Sequence, residues 1–150
     1  MEGKLIVIAI GGNSLIEDSK HVTVASQYDA AKKTAHHIAR LVEAGNRVVI
    51  AHGNGPQVGY ILRRAEIAST ELHSVPLDSC VADTQGAIGY QLQKALDNEF
   101  KALKIKKNVA TVVTQVEVSD SDPSFKKPTK PIGSFMSEEV AKEHERKDGW

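Results

Sequence analysis

Residues 48–60, VVIAHGNGPQVGY, decide how this chain is read. Four apolar residues, Val48 to Ala51, run straight into His52-Gly53-Asn54-Gly55-Pro56, after which a helical pattern begins. A short apolar run bounded by turn residues predicts a buried strand. Glycine lets a ligand approach the main chain closely, and proline is favoured just inside a helix start. The product is strand, glycine loop and helix N-terminus, an arrangement suited to an anionic group. Any α/β protein needs glycines where a strand turns into a helix, so this loop alone is weak evidence of a site.

Working outward, a second loop of the same build precedes it. Residues 5–10, LIVIAI, form another buried-strand run and end in Gly11-Gly12-Asn13-Ser14. Between the two loops, Tyr28, Ala31, Ala35, Ile38 and Val42 step by three and four, which predicts a helix over 28–44. Gly45-Asn46 stops that helix. Strands at 4–10 and 47–51 joined by a helix make a βαβ unit, which is parallel and right-handed. If the strands are adjacent, both glycine loops open onto one cleft. Residues 17–25 read as a polar loop with His21 exposed.

Beyond the second loop, helices are predicted over 56–69 and 83–103, the latter with Asp83 as cap or first-turn acid. Residues 71–78 read as a connection around Pro76. Residues 109–118, VATVVTQVEV, are rich in β-branched side chains and predict a third strand. Residues 119–134 hold Asp122-Pro123, Pro128, Pro131 and Gly133 among Lys126, Lys127 and Lys130, the pattern of an excursion from the sheet. A last helix is predicted from Ser137 to Lys147. The alternation of elements gives an α/β layer protein.

The totals are consistent with that class. The 150 residues, 41% of them hydrophobic, suffice for one core, and 19 basic residues balance 19 acidic ones. Neutrality argues against a bulk electrostatic footprint for nucleic acid or an anionic membrane. The lone Cys80 excludes an intramolecular disulfide framework and suits a reducing cytoplasm. No apolar run approaches the roughly 18 residues of a membrane span, and no leader pattern opens the chain; a cytoplasmic protein without membrane partners is expected.

Familiar nucleotide motifs are missing. There is no G-x-x-x-x-G-K-[ST] loop, and the glycines at 53, 55 and 59 miss the dinucleotide fingerprint because position 58 is Val. His36-His37 are neighbours on a helix and cannot face one ion together, so they read as a solvated face and no metal site is expected. Cys80, without a placed histidine, reads as a packing residue. Lys130 sits in Pro128-Thr129-Lys130-Pro131. Flanking prolines limit its backbone, so its ammonium can be aimed. Backbone amides plus an aimed cation suit phosphoryl transfer, whose catalysis is mostly positioning and charge stabilisation.

The whole set resembles the carbamate kinases of the amino-acid kinase superfamily. The matching pieces are IAIGGNSL at 8–15, AHGNGPQVG at 51–59, VPLD at 75–78 and TQGAIGYQLQ at 84–93. VVTQVEV at 112–118 and DPSF with PTKPIG between 122 and 133 complete it. The resemblance implies a three-layer αβα sandwich on a mainly parallel sheet, and reversible phosphoryl transfer between ATP and carbamate. In arginine catabolism that reaction runs from carbamoyl phosphate and ADP. It further implies that Gly11, Gly12 and Asn13 cradle the transferring phosphoryl group and that Gly53, Asn54 and Gly55 hold the carbamate. Lys130 then neutralises phosphoryl charge from a protruding subdomain within 119–150, and Mg²⁺ accompanies the ATP or ADP. The segment 85–90 supports the substrate side or the contact of a homodimer.

Family members are about twice this long, so residues 1–150 are expected to form the N-terminal, carbamate-binding domain, with the nucleotide-binding half absent. Two alternatives stand beside this reading. One is a non-catalytic domain that binds carbamoyl phosphate or dimerises. The other is a phosphotransferase of the same superfamily with a different acceptor.

Overall fold

The computed structural model describes residues 3–11, 23–132 and 136–149. Strand β1 (Leu5–Ile10) pairs in parallel with β2 (Arg47–His52), in register from Leu5 opposite Arg47 to Ile10 opposite His52. Main-chain bonds continue past both ends of the ladder. Arg47 N donates to Lys4 O at 2.9 Å, and Gly53 N donates to Ile10 O at 3.0 Å. The crossover is helix α1 (Val24–Glu43).

Alternation along the strands decides which face is covered. Ile8, Ile10, Val48 and Ile50 point into a core that α1 and α3 (Leu77–Ala102) complete with Ala31, Ala35, Ile38, Ala39, Ile88, Leu92, Ala95, Leu96 and Phe100. The alanine stripe of α1 carries no bulk beyond Cβ, so α1 and α3 can approach closely; Ala31, Ala35 and Ala39 are fully buried. On the opposite face Leu5, Val7 and Val49 are 58%, 68% and 51% exposed. The α/β class and the parallel sheet are thus observed. The described residues build that sheet and one helical layer.

Two helices start earlier than their apolar periodicity indicated. Helix α1 begins at Val24 because Thr23 caps it, its Oγ1 accepting from Ser26 N at 3.2 Å. Residues 24 and 25 therefore belong to a helix and not to a loop, while His21 lies outside the described residues. Helix α3 begins at Leu77, with Pro76 as N-cap and Asp78 in the first turn, so Asp83 lies inside the helix and caps nothing. Helix α2 (Gln57–Ile67) and helix α4 (Glu138–Asp148) fall close to their predicted places. Ser137 caps α4 and Gly149, at φ +73°, ends it.

The third strand does not form. Residues 109–118 carry the β-branched composition of one, but their backbone joins no ladder. Such propensity measures fit to a pleated, half-buried surface, and it cannot replace a hydrogen-bonded neighbour. Val109 packs against the core, whereas Val112 and Val116 are exposed. Side chains of α3 hold the run instead, and it shares a cleft of about 910 Å³ with β2.

Candidate functional site

The two glycine loops leave the sheet side by side. Because β1 and β2 are parallel and adjacent, Gly11 and Gly53 both follow the C-terminal ends of their strands, and the Gly53–Ile10 bond ties them together. Both residues are exposed. Gly12 and Asn13 lie outside the described residues. After Gly53 the chain turns sharply: Asn54 O accepts from Gln57 N at 3.0 Å, and Gly55 takes φ +48°, a left-handed conformation that glycine adopts freely. Pro56 is the N-cap of α2 and supplies no side-chain hydrogen bond, so the first turn of α2 has no side-chain cap. Such a helix end carries unpaired N–H groups and a partial positive charge.

Gln57 was not singled out from the sequence, yet its side chain is the least settled group here. Its Nε2 is buried without a hydrogen-bond partner among the described residues. A buried donor left unpaired costs about 1–3 kcal/mol, and an acceptor oxygen arriving at the loop would remove that cost. The signal available in the sequence was its place as the first helical residue after GNGP.

Lys130 borders the same cleft as His52, Gly53 and Asn54. Arg47 and Lys107 also line it, and among the described residues no aspartate or glutamate does. A neutral chain therefore concentrates cations on one concave surface, which favours an anionic ligand. The approach to Lys130 is locally stiffened. Asp122 caps a 3₁₀ turn over Pro123–Phe125, accepting from Ser124 N at 2.8 Å. That main-chain bond, joined by the Ser124 side chain, holds the Asp122 carboxyl below its usual range.

On the far wall, three α3 residues spaced by four grip the extended run. Gln85 accepts from Thr114 N at 2.7 Å and donates to Thr114 O at 3.2 Å, while Gln93 accepts from Thr111 Oγ1 at 3.1 Å. Between them Gly89 allows close approach: a Cβ there would stand 2.2 Å from Thr111 Cγ2.

Other reactive groups are spoken for. Cys80 is fully buried, and burial, followed by the negative charge of Asp83, pushes its thiol up from the usual range. Since the thiolate is the reactive form, native Cys80 is expected to react with an aromatic disulfide reagent at least about 100-fold more slowly than in denaturant; comparable rates in both would contradict its packing role. His36 is exposed and its Nδ1 lies 3.1 Å from Glu99 Oε2, joining α1 to α3. Among the described residues no group of His, Cys, Asp and Glu is placed to hold a metal ion, and no helix is long and apolar enough to cross a membrane.

Comparison with known proteins supplies what geometry leaves open. Residues 4–142 match the amino acid kinase family. The chain is 49% identical to carbamate kinase of Lentilactobacillus hilgardii over 93% of its own length and 43% of that protein's. Its fold superposes on carbamate kinase from Giardia lamblia bound to citric acid with a TM-score of 0.90 at 38% identity, covering 96% of this chain and 46% of that one. The Giardia enzyme bound to AMP-PNP gives 0.83 at 37% identity, covering 99% and 47%. The chain thus spans about half the length of the relatives it matches.

Proposed function

The chain belongs to the amino acid kinase family, and on that premise we propose that it carries the acceptor side of a carbamate kinase, which transfers a phosphoryl group reversibly between ATP and carbamate. The observation that carries this reading is the meeting of two strand ends, at Gly11 and Gly53, on adjacent parallel strands, with Lys130 on the cleft that His52, Gly53 and Asn54 border. Its support from relatives is the shared name of proteins 43–49% identical to it.

In this reading Gly53, Asn54 and Gly55 hold the carbamate, with the first turn of α2 and Gln57 Nε2 offering donors to its oxygens. Gly11, Gly12 and Asn13 lie against the transferring phosphoryl group. Such loops bind by main-chain N–H groups, which need no side-chain reorganisation when charge shifts during transfer. Lys130 places an ammonium against the phosphoryl oxygens. Donor, acceptor and cation held in one geometry account for most of what phosphoryl transfer requires. ATP or ADP is the second substrate, as the AMP-PNP complex of the Giardia enzyme suggests. Mg²⁺ would accompany the nucleotide, whose phosphates are its usual ligands.

The nucleotide side falls to the part of the relatives that these 150 residues do not match, with 119–150 as the protruding subdomain. Arginine catabolism, a cytoplasmic place and a homodimer belong to the same reading through resemblance to the family. The test is ATP formation from ADP, Mg²⁺ and carbamoyl phosphate by the purified protein, alongside calorimetric binding of carbamoyl phosphate. Turnover is expected wherever the nucleotide side is present, and binding in either case. Absence of binding sinks the proposal, and turnover with an amino-acid phosphate in place of carbamoyl phosphate would move it to a neighbouring acceptor.

A further inference from the structure

The run that was expected to be a third strand leads directly to Lys130, and something other than a sheet ladder must fix its position. Thr114 is where that fixation ends. Among the described residues, no hydrogen bond ties residues 115–130 to the helices or strands of the core. Those present are local, such as Asp122 N to Ser119 O at 3.0 Å and Lys127 N to Pro123 O at 2.9 Å. Every residue from 115 to 130 is exposed. At its N-terminal base the excursion is therefore anchored by the tether at Thr114.

That tether has an uncommon form. The Gln85 amide presents one acceptor and one donor to the N–H and C=O of a single residue, with Thr114 Oγ1 also 3.4 Å from Gln85 Oε1. It thus does for Thr114 what a neighbouring strand does for a ladder residue. The bare Gly89 face and Gln93 continue the same stripe one and two turns further along α3. They set how closely the run lies against the helix.

We propose that Gln85 is a positioning residue for Lys130: by pinning both main-chain groups of Thr114, it fixes the base of the 115–130 excursion and so where the Lys130 ammonium meets the cleft. This inference rests on the phosphoryl role of Lys130 in the reading above. Gln85 itself touches no reacting atom.

The experiment uses Gln85→Met, which keeps the length of the side chain and removes both hydrogen bonds, in a cycle with Lys130→Ala. Amide hydrogen exchange at Thr114 is expected to quicken at least about tenfold in Gln85→Met, while Leu92 and Ala95 amides of α3 stay unchanged and certify the fold. Carbamoyl phosphate affinity is expected to fall about tenfold in Gln85→Met and by less than about twofold when the same change is made on Lys130→Ala. A merely structural role would cost the same affinity in both backgrounds. Unchanged exchange at Thr114, or equal losses in both backgrounds, overturns the inference and leaves the phosphoryl role of Lys130 standing. If Lys130→Ala alone lowers neither affinity nor turnover, that role fails and the positioning role falls with it.

Discussion

Lys130→Ala is expected to lower ATP formation from carbamoyl phosphate and ADP by about 100- to 1,000-fold, the loss that follows removal of one preorganised electrostatic group from a transferring centre. The size follows from the surroundings. Among the described residues the cleft is lined by Arg47, Lys107 and Lys130 without a carboxylate, but Arg47 opens β2 while the glycine loops follow its other end. Lys107 likewise precedes the extended run that leads away toward Thr114. Among the described residues Lys130 is therefore the cation best placed to share the loop end with Asn54, and its loss leaves only uncharged donors there. Lys130→Arg should recover part of the rate and not all of it, since a planar fork does not reproduce a compact ammonium. Steady-state kinetics decide the matter. A fall in kcat with KM little changed places the effect in the transition state, whereas a rise in KM alone means uniform binding. An unchanged rate would remove Lys130 from the chemistry.

Phe100→Ala is expected to destabilise the fold by about 3–5 kcal/mol. Phe100 is 5% exposed and stands in the cluster that joins α3 to α1 and to the covered sheet face. With the opposite face of the sheet open, this cluster is the chief apolar core among the described residues. Domains of this size have about 5–15 kcal/mol of stability in all. The variant should therefore unfold at much lower urea, with an unchanged slope if only stability has altered. Val116→Ala, at an 81% exposed position, should change stability by less than about 0.5 kcal/mol. Equal effects of the two would mean that the core lies elsewhere.

Much of the fold was legible because it is local. The runs LIVIAI and RVVIAH alternate correctly once their faces are known, and the three- and four-residue steps of α1 and α3 mark the side they bury. Helix starts were less legible. Thr23 and Pro76 begin helices whose first turns add only Gln27 and Cys80 to the buried side, too little for apolar periodicity to register. The missing third strand shows a different limit. Val109 to Val118 satisfies every local criterion, but ladder formation depends on a neighbour at the right distance, and no window of sequence contains that distance. The site divides in the same way. GNGP and the loop after β1 were visible as glycine punctuation, and the parallel pairing that sets them together followed from the βαβ rule. Gln57 was not visible as a participant, and Gln85 was visible only within the segment 85–90 that the family resemblance marked, because an amide side chain announces nothing until its partners, or its lack of one, are seen.

The bond from Gly53 N to Ile10 O makes the sheet a ruler. At Gly11 and Gly53 the two strand ends are separated by the spacing of neighbouring strands, about 4.8 Å, and that length belongs to the peptide backbone and to no side chain. Substitutions within either loop can therefore retune what is held at each mark while the interval between the marks stays constant. A scaffold of this kind can exchange one small acceptor for another without relearning the distance across which the transferred group must pass.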